Sequence, residues 1–266
     1  MDQPQTERAN NQQSLVVQQF GSTANNYLTS SVHAQGPDLQ RMAALAARLQ
    51  PGRSLDLGCG AGHASFALAS AQAGAVVAYD LSAEMLQVVA AEARKRGIEN
   101  LATRQGPAEK LPFDNASFDL VATRFSAHHW LDMGSAVAEI ARVLKPGGTL
   151  LAIDVVAPET PLYDTVLQTI ELLRDASHVR DYRVSEWRAM LGAAGLQVIG
   201  SDGWKLPLDF DSWVKRIRTS ADRVAALQVI MRELPQEVKE YFMVRADHSF
   251  SSDTAWIEAR RAEAAG

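Results

Sequence analysis

Between residues 38 and 49 the apolar side chains Leu39, Met42, Ala46 and Leu49 recur at three- to four-residue spacing, the period of a helix with one buried face. Pro51 and Gly52 end that pattern, and the short apolar run at 53–57 has the length of a buried strand. From there the two periods alternate. Helices are expected over 62–72, 82–96 and 134–144, and strands over 75–80, 101–105, 118–123 and 149–156, with Lys145–Gly148 closing the last of these helices. Strands separated by helices of this length build a parallel sheet covered on both faces. After residue 157 the rhythm changes to a helix over 162–175, a polar link over 175–183 and a helix over 185–194. A sixth strand is expected at 195–206 and helices at 209–219 and 221–234, while the alternation at 253–261 reads as an edge strand. The expected fold is α/β: a doubly wound, mostly parallel seven-stranded sheet with an antiparallel edge strand and helical lid insertions.

These patterns predict a polar, flexible tail over 1–14 and a single domain over 15–266. Its core is placed at 38–157, with helical insertions at about 15–37, 158–184 and 209–248. The chain of 266 residues is 47% hydrophobic and 21% charged, ordinary values for a folded globular protein. Its net charge of −5, with no sustained basic run, argues against a nucleic-acid partner. No stretch approaches the ~20 apolar residues that span a bilayer, so membrane insertion is not expected. The first residues have neither the basic nor the apolar region of a signal peptide, and Cys59 is the sole cysteine. A cytoplasmic protein is expected, monomer or homodimer.

The stretch LDLGCGAGHASFALA, residues 55–69, places Gly58, Gly60 and Gly62 directly after the first strand. Glycines there let the backbone turn tightly and let a ligand approach amides that a Cβ would block. A dinucleotide fingerprint needs its third glycine where His63 stands. Asp56 is the more telling residue: a carboxylate two positions before the first glycine would repel a pyrophosphate and attract an ammonium and a sulfonium. Asp80, at the end of the second strand, is placed to accept from both hydroxyls of a ribose. Adenosine with a cationic tail describes S-adenosylmethionine.

Four stretches carry a resemblance in order: SLDLGCGAG, AYDLSAEML, GPAEKLPFDNASFDLV and EIARVLKPGGTLLAID. Together they resemble the class I S-adenosylmethionine-dependent methyltransferases, in particular the UbiE-like group that acts on small molecules. The resemblance runs over about residues 15–157 and implies a Rossmann-like fold. It implies that Asp56, Gly58 and Gly60 surround the amino-acid end of the cofactor, that Asp80 holds the ribose, and that Leu81 and Met85 wall the adenine. Tyr27 and Phe20 resemble an N-terminal lid segment over the cofactor, with helix packing as the alternative. Where the family commonly has an Asp that bonds the adenine amino group, this chain has Pro107, so the adenine edge is left to backbone near Ala108 or to a lid residue.

Methyl transfer from a sulfonium is an in-line displacement that gains mostly from alignment, and an acceptor hydroxyl, enol or carbon acid also needs a base. His128 and His129, in the loop after the fourth strand, are the candidates, with loop packing as the alternative. Arg124 either orients an anionic substrate or the cofactor, or pairs with a local carboxylate. His33, His178 and Tyr182 could border the pocket from polar links, and Trp204, Trp213 and the basic stretch at 215–218 lie in the expected lid insertion. No metal-ligand spacing is present. Transfer to a small, partly apolar metabolite by O- or C-methylation is the favoured reading. A non-catalytic binder of this fold, methylation of a carrier-bound acyl group and a nicotinamide oxidoreductase are its rivals.

Overall fold

A computed structural model describes residues 11–21, 36–71 and 74–263. Helix α1 spans Gln12–Gly21 and α2 Pro37–Leu49. Strand β1 (Arg53–Leu57), helix α3 (His63–Ala71), strand β2 (Ala75–Asp80), helix α4 (Ala83–Lys95) and strands β3 (Leu101–Gln105) and β4 (Phe118–Arg124) follow. A 3₁₀ turn at Ala127–His129 precedes α5 (Met133–Val143) and β5 (Leu144–Val155). Helices α6 (Pro161–Arg174) and α7 (Val184–Ala193) lead to β6 (Leu196–Leu208). Helices α8 (Phe210–Arg216), α9 (Ala221–Glu233) and α10 (Gln236–Tyr241) then lead to β7 (Phe250–Arg261).

The seven strands lie in the order β3-β2-β1-β4-β5-β7-β6. β3, β2, β1, β4 and β5 pair in parallel, and β7 runs antiparallel to both its neighbours. The sheet thus has the expected antiparallel margin, with one change of position. The strand over 253–261, whose alternation reads as an edge, lies one place inside, and β6 is outermost. Burial explains this, because β7 is covered along nearly its whole length whereas β6 is exposed over its middle.

Two layers cover the sheet. Leu39, Met42 and Leu45 of α2 pack with Leu68 of α3 on one face, against Leu120, Leu151 and Ile153. Val137 and Ile140 of α5 pack with Trp187 and Leu191 of α7 on the other, against Leu55, Leu57 and Val121. A third cluster gathers Leu167 and Ile170 of α6 with Trp213, Leu227, Met231 and Phe242 from the helices between β6 and β7. This cluster includes Ala157 and packs against Val155, at the C-terminal end of β5. The order reverses between β1 and β4, and in open α/β sheets ligands lie in the crevice at that reversal.

Two local departures from expectation have clear causes. β5 begins at Leu144, which pairs with Phe118, so Lys145–Gly148 lies inside the strand as an irregularity. Gly147 supplies the positive φ, +72°, that this interruption requires. Residues 12–14, expected in a loose tail, form the first turn of α1. Asn11 Oδ1 accepts from the Ser14 N–H at 2.9 Å and Ser14 Oγ accepts from the Asn11 N–H at 3.0 Å, a reciprocal cap that stops the helix from fraying.

Candidate active site

The glycine turn and the end of β2 form one unit. Asp80 Oδ2 accepts from the Gly60 N–H at 2.8 Å and its Oδ1 from the Ser82 N–H at 2.9 Å. One carboxylate thereby ties the turn to the start of α4, and each oxygen keeps a further lone pair. Burial pushes the Asp80 carboxyl up from its ordinary value. Gly58 and Gly60 have φ of +72° and +50°. A Cβ on Gly58 would come within 1.8 Å of Ser126 Oγ, whereas one on Gly60 would meet nothing within 4 Å. Gly60 therefore faces open space, as a backbone that a ligand must approach does.

Asp56 is fully buried on β1 and accepts from Ser65 Oγ at 2.5 Å. Its other oxygen, Oδ1, is buried and has no hydrogen-bond partner. Burial, reinforced by the nearby Asp80 and opposed by the Ser65 hydroxyl, pushes Asp56 up to about 6. An orphaned carboxylate oxygen is costly unless something cationic or hydrogen-donating completes it.

A cavity opens on this unit and is lined by Asp56, Gly58, Gly60, Asp80, Leu81, Met85 and Ala108, together with Arg124, His129 and Phe20. The structure thus gathers in one place every described residue that the sequence assigns to a cofactor. Tyr27 and His33 lie outside the described residues. Phe20 of α1 packs against Ala61 and Met85 and meets the His129 ring edge-on at 4.8 Å. Pro107 also lines the cavity, and its carbonyl accepts from Tyr79 Oη at 3.2 Å.

Arg124 takes the second of its two expected roles. Its guanidinium grips Asp38 through Nε and through Nη2, the latter at 3.2 Å, with both side chains about 5% exposed. Arg124 lines the cavity and Asp38 does not, and of the expected alternatives the structure shows the pairing with a local carboxylate. Asp38, one residue into α2, carries no signal of this partnership in the local sequence.

The two histidines differ sharply. His128 Nδ1 lies 2.6 Å from Asp154 Oδ1. Burial pulls His128 down, but the charge and hydrogen bond of Asp154 prevail and hold it at about 9. His129 is pushed down to about 4, first by burial and then by repulsion from His128, whose ring is 4.2 Å away. His129 Nδ1 faces the Ser177 carbonyl at 3.2 Å. A carbonyl only accepts, so Nδ1 carries the proton and Nε2 presents the lone pair. Asp175 Oδ2, buried without a hydrogen-bond partner, stands 4.0 Å from Nε2.

His128 does not line the cofactor-side cavity. It lines a second one, which shares Phe20, Phe125 and His129 with the first and continues beneath α6 and α8. Trp213, named from the sequence as a lid aromatic, is part of that wall, whereas Trp204 is not. His178 lies behind it, Nε2 facing Gln168 Oε1 at 3.1 Å.

A family model described as "Methyltransferase domain" matches residues 55–152. The chain is 39% identical over 225 residues to the uncharacterized methyltransferase YcgJ of Bacillus subtilis, covering 85% of this chain and 88% of that one. It belongs to the class I S-adenosylmethionine-dependent methyltransferases. The crystal structure of YcgJ superposes with a TM-score of 0.78 at 35% identity, over 84% of this methyltransferase and 99% of that chain. The Escherichia coli protein YafE, also uncharacterized, is 48% identical over 188 residues, 71% of this chain and 91% of that one. The ubiquinone/menaquinone biosynthesis C-methyltransferase UbiE of Brucella anthropi is 34% identical over 164 residues, 58% of this chain and 62% of that one. Family membership removes the nicotinamide alternative, and S-adenosylmethionine is the cofactor of the family.

Sequence reasoning missed several residues of the methyltransferase site. Asp154 ends a parallel strand next to the crevice, the position that singled out Asp80, and could have been found by the same rule. Phe125 lines both cavities with φ +51°, a conformation that aromatic residues rarely adopt. Glu171, Arg174 and Asp181 sit on α6 and in the polar link, where nothing in the local pattern marks them.

Proposed function

We propose that this enzyme transfers a methyl group to carbon or oxygen of a small, partly apolar metabolite in the cytoplasm, with His129 as the base. The observation that carries this reading is that Asp56, whose Oδ1 has no hydrogen-bond partner, lines a cavity that adjoins a second one at His129. When bound, S-adenosylmethionine supplies an electrophilic methyl on a sulfonium.

Every other contribution comes from the chain. Asp56 Oδ1 receives the ammonium end of the cofactor, and the backbone of Gly58 and Gly60 admits its amino-acid portion. The remaining lone pairs of Asp80 accept from the ribose hydroxyls, and Leu81, Met85 and Ala108 wall the adenine. Phe20 and Phe125 border both cavities, so the two reactants meet with little water between them. His129 Nε2 takes the acceptor's proton, its tautomer set by the Ser177 carbonyl, and Asp175 stabilises the imidazolium that results. Burial, reinforced by repulsion from His128, which Asp154 holds charged, keeps His129 neutral before that step. No described helix is long and apolar enough to cross a membrane, and no described His, Cys, Asp or Glu side chains form a metal-holding group.

Calorimetric titration with S-adenosylmethionine and with S-adenosylhomocysteine, for the wild type and Asp80→Ala, tests the cofactor site. Binding is expected to weaken by about 10- to 100-fold in the variant, which loses the ribose acceptor and the tether on Gly60. No binding of either ligand to folded wild-type protein would overturn the proposal. Labelled methyl transfer into metabolite extracts, abolished by His129→Ala, tests the chemistry.

A further inference from the structure

The second cavity has a composition that the reaction itself does not require. Its apolar wall is formed by Val155, Leu206, Leu208 and Trp213. Its polar lining brings three cationic side chains, His128, Arg174 and Arg216, together with the carboxyl groups of Glu171 and Asp181. Most of these groups already have partners. His128 faces Asp154 at 2.6 Å, and Arg174 donates from Nε to the Trp213 carbonyl at 3.1 Å and from Nη1 to Glu171 at 3.4 Å. Asp181 is different: it is 1% exposed, and its Oδ2 is buried with no hydrogen-bond partner. The nearest histidine nitrogen, His178 Nε2, is 3.8 Å away and faces Gln168.

A carboxyl oxygen so enclosed is poorly solvated as an anion and is stable as the neutral acid, which carries a proton it can donate. Burial pushes Asp181 well above the usual carboxylate range, with Glu171 and Asp154 adding to the effect against His128 and Arg180. Burial likewise pushes Glu171 up. Glu171 is paired with Arg174, so the compartment offers a guest one unpartnered carboxyl, that of Asp181, beside fixed cations, an environment hostile to an ammonium group and suited to oxygen functions.

We infer that the second cavity holds the methyl acceptor and that Asp181 determines its class: an apolar hydroxy-carbonyl compound. The guest's hydroxyl or enol faces His129, and a second oxygen accepts a hydrogen bond from the Asp181 carboxyl. This rests on the methyl-transfer reading and adds to it the selection of oxygen acceptors over amines. Asp181 is a specificity residue here and takes no proton from the guest.

The test uses the full chain saturated with S-adenosylhomocysteine and two matched probes, 4-hydroxyacetophenone and tyramine. Both are phenols, one with a carbonyl and the other with an ammonium at its far end. The carbonyl probe is expected to bind at least about tenfold more tightly. Asp181→Asn, which keeps a neutral donor, is expected to hold it within about threefold of wild type, and Asp181→Ala to weaken it about tenfold. S-adenosylhomocysteine affinity is expected to be unchanged in both variants, which also shows that they fold. Equal or tighter binding of tyramine, no effect of Asp181→Ala, or an Asp181→Asn defect equal to that of Asp181→Ala would each overturn the inference. Failure of S-adenosylhomocysteine to bind would count against the methyl-transfer reading. Its binding without that of 4-hydroxyacetophenone would count against this inference alone.

Discussion

Asp56→Asn should make the cofactor-free protein more stable while disabling it. Burial of Asp56, with Asp80 close by, holds this carboxyl at about 6 against an ordinary 3.8. A raised carboxyl contributes stability that is complete below the unfolded value and is lost as pH rises through the folded one. Above about pH 6 the ionised Asp56 therefore costs the ligand-free fold roughly 3 kcal/mol, the equivalent of the shift from 3.8 to about 6. Asparagine keeps an oxygen to accept from Ser65 Oγ and never carries the charge. Urea denaturation without cofactor should show the variant about 2–3 kcal/mol more stable near pH 7.5, the difference shrinking toward zero near pH 3.5. Calorimetry should show S-adenosylmethionine affinity reduced roughly 100-fold, because the ammonium loses its buried counter-ion. Equal stability of the two proteins at neutral pH, or undiminished affinity in the variant, would refute the argument that Asp56 is held in a costly state for a cationic ligand.

Further expectations follow from the same geometry. Gly58→Ala combines a φ of +72° with a Cβ 1.8 Å from Ser126 Oγ, and thermal melting should show a loss of about 2–5 kcal/mol, only partly recovered by adding Ser126→Gly. His128→Gln removes the charge that helps to hold His129 at about 4, so imidazole NMR titration should find His129 raised, yet still below 6.5 because burial persists. An unchanged His129 would show that the two rings do not communicate. Asp38→Ala leaves the Arg124 guanidinium buried without its carboxylate and should cost about 3–5 kcal/mol in denaturation, far more than an exposed pair such as Arg41–Asp202.

The cofactor half of the site was legible because its signals are local. The strand, the three glycines and Asp56 occupy ten consecutive residues, 53–62, and Asp80 follows one helix and one strand later. Periodicity located the parallel strands for the same reason. The acceptor half is assembled across long separations. His129 meets Ser177 from 48 residues away, and His128 meets Asp154 from 26. Such pairings are decided by how lid and sheet pack, and the polar link at 175–183 has no period to reveal that Asp175 and Asp181 turn inward. Nor could alternation say which late strand is outermost, since that depends on backbone pairing and on which faces the helices cover.

The place of β7 between β5 and β6 also sets the order in which the enzyme can be completed. β6 has one neighbour in the sheet, and that neighbour is separated from it by residues 209–249. At about 5–20 residues per second, a ribosome needs on the order of seconds to deliver it. Throughout that interval the five parallel strands and the glycine turn are already available, while Leu206 and Leu208 line nothing. A nascent chain thus acquires its cofactor-side cavity first and its acceptor chamber last.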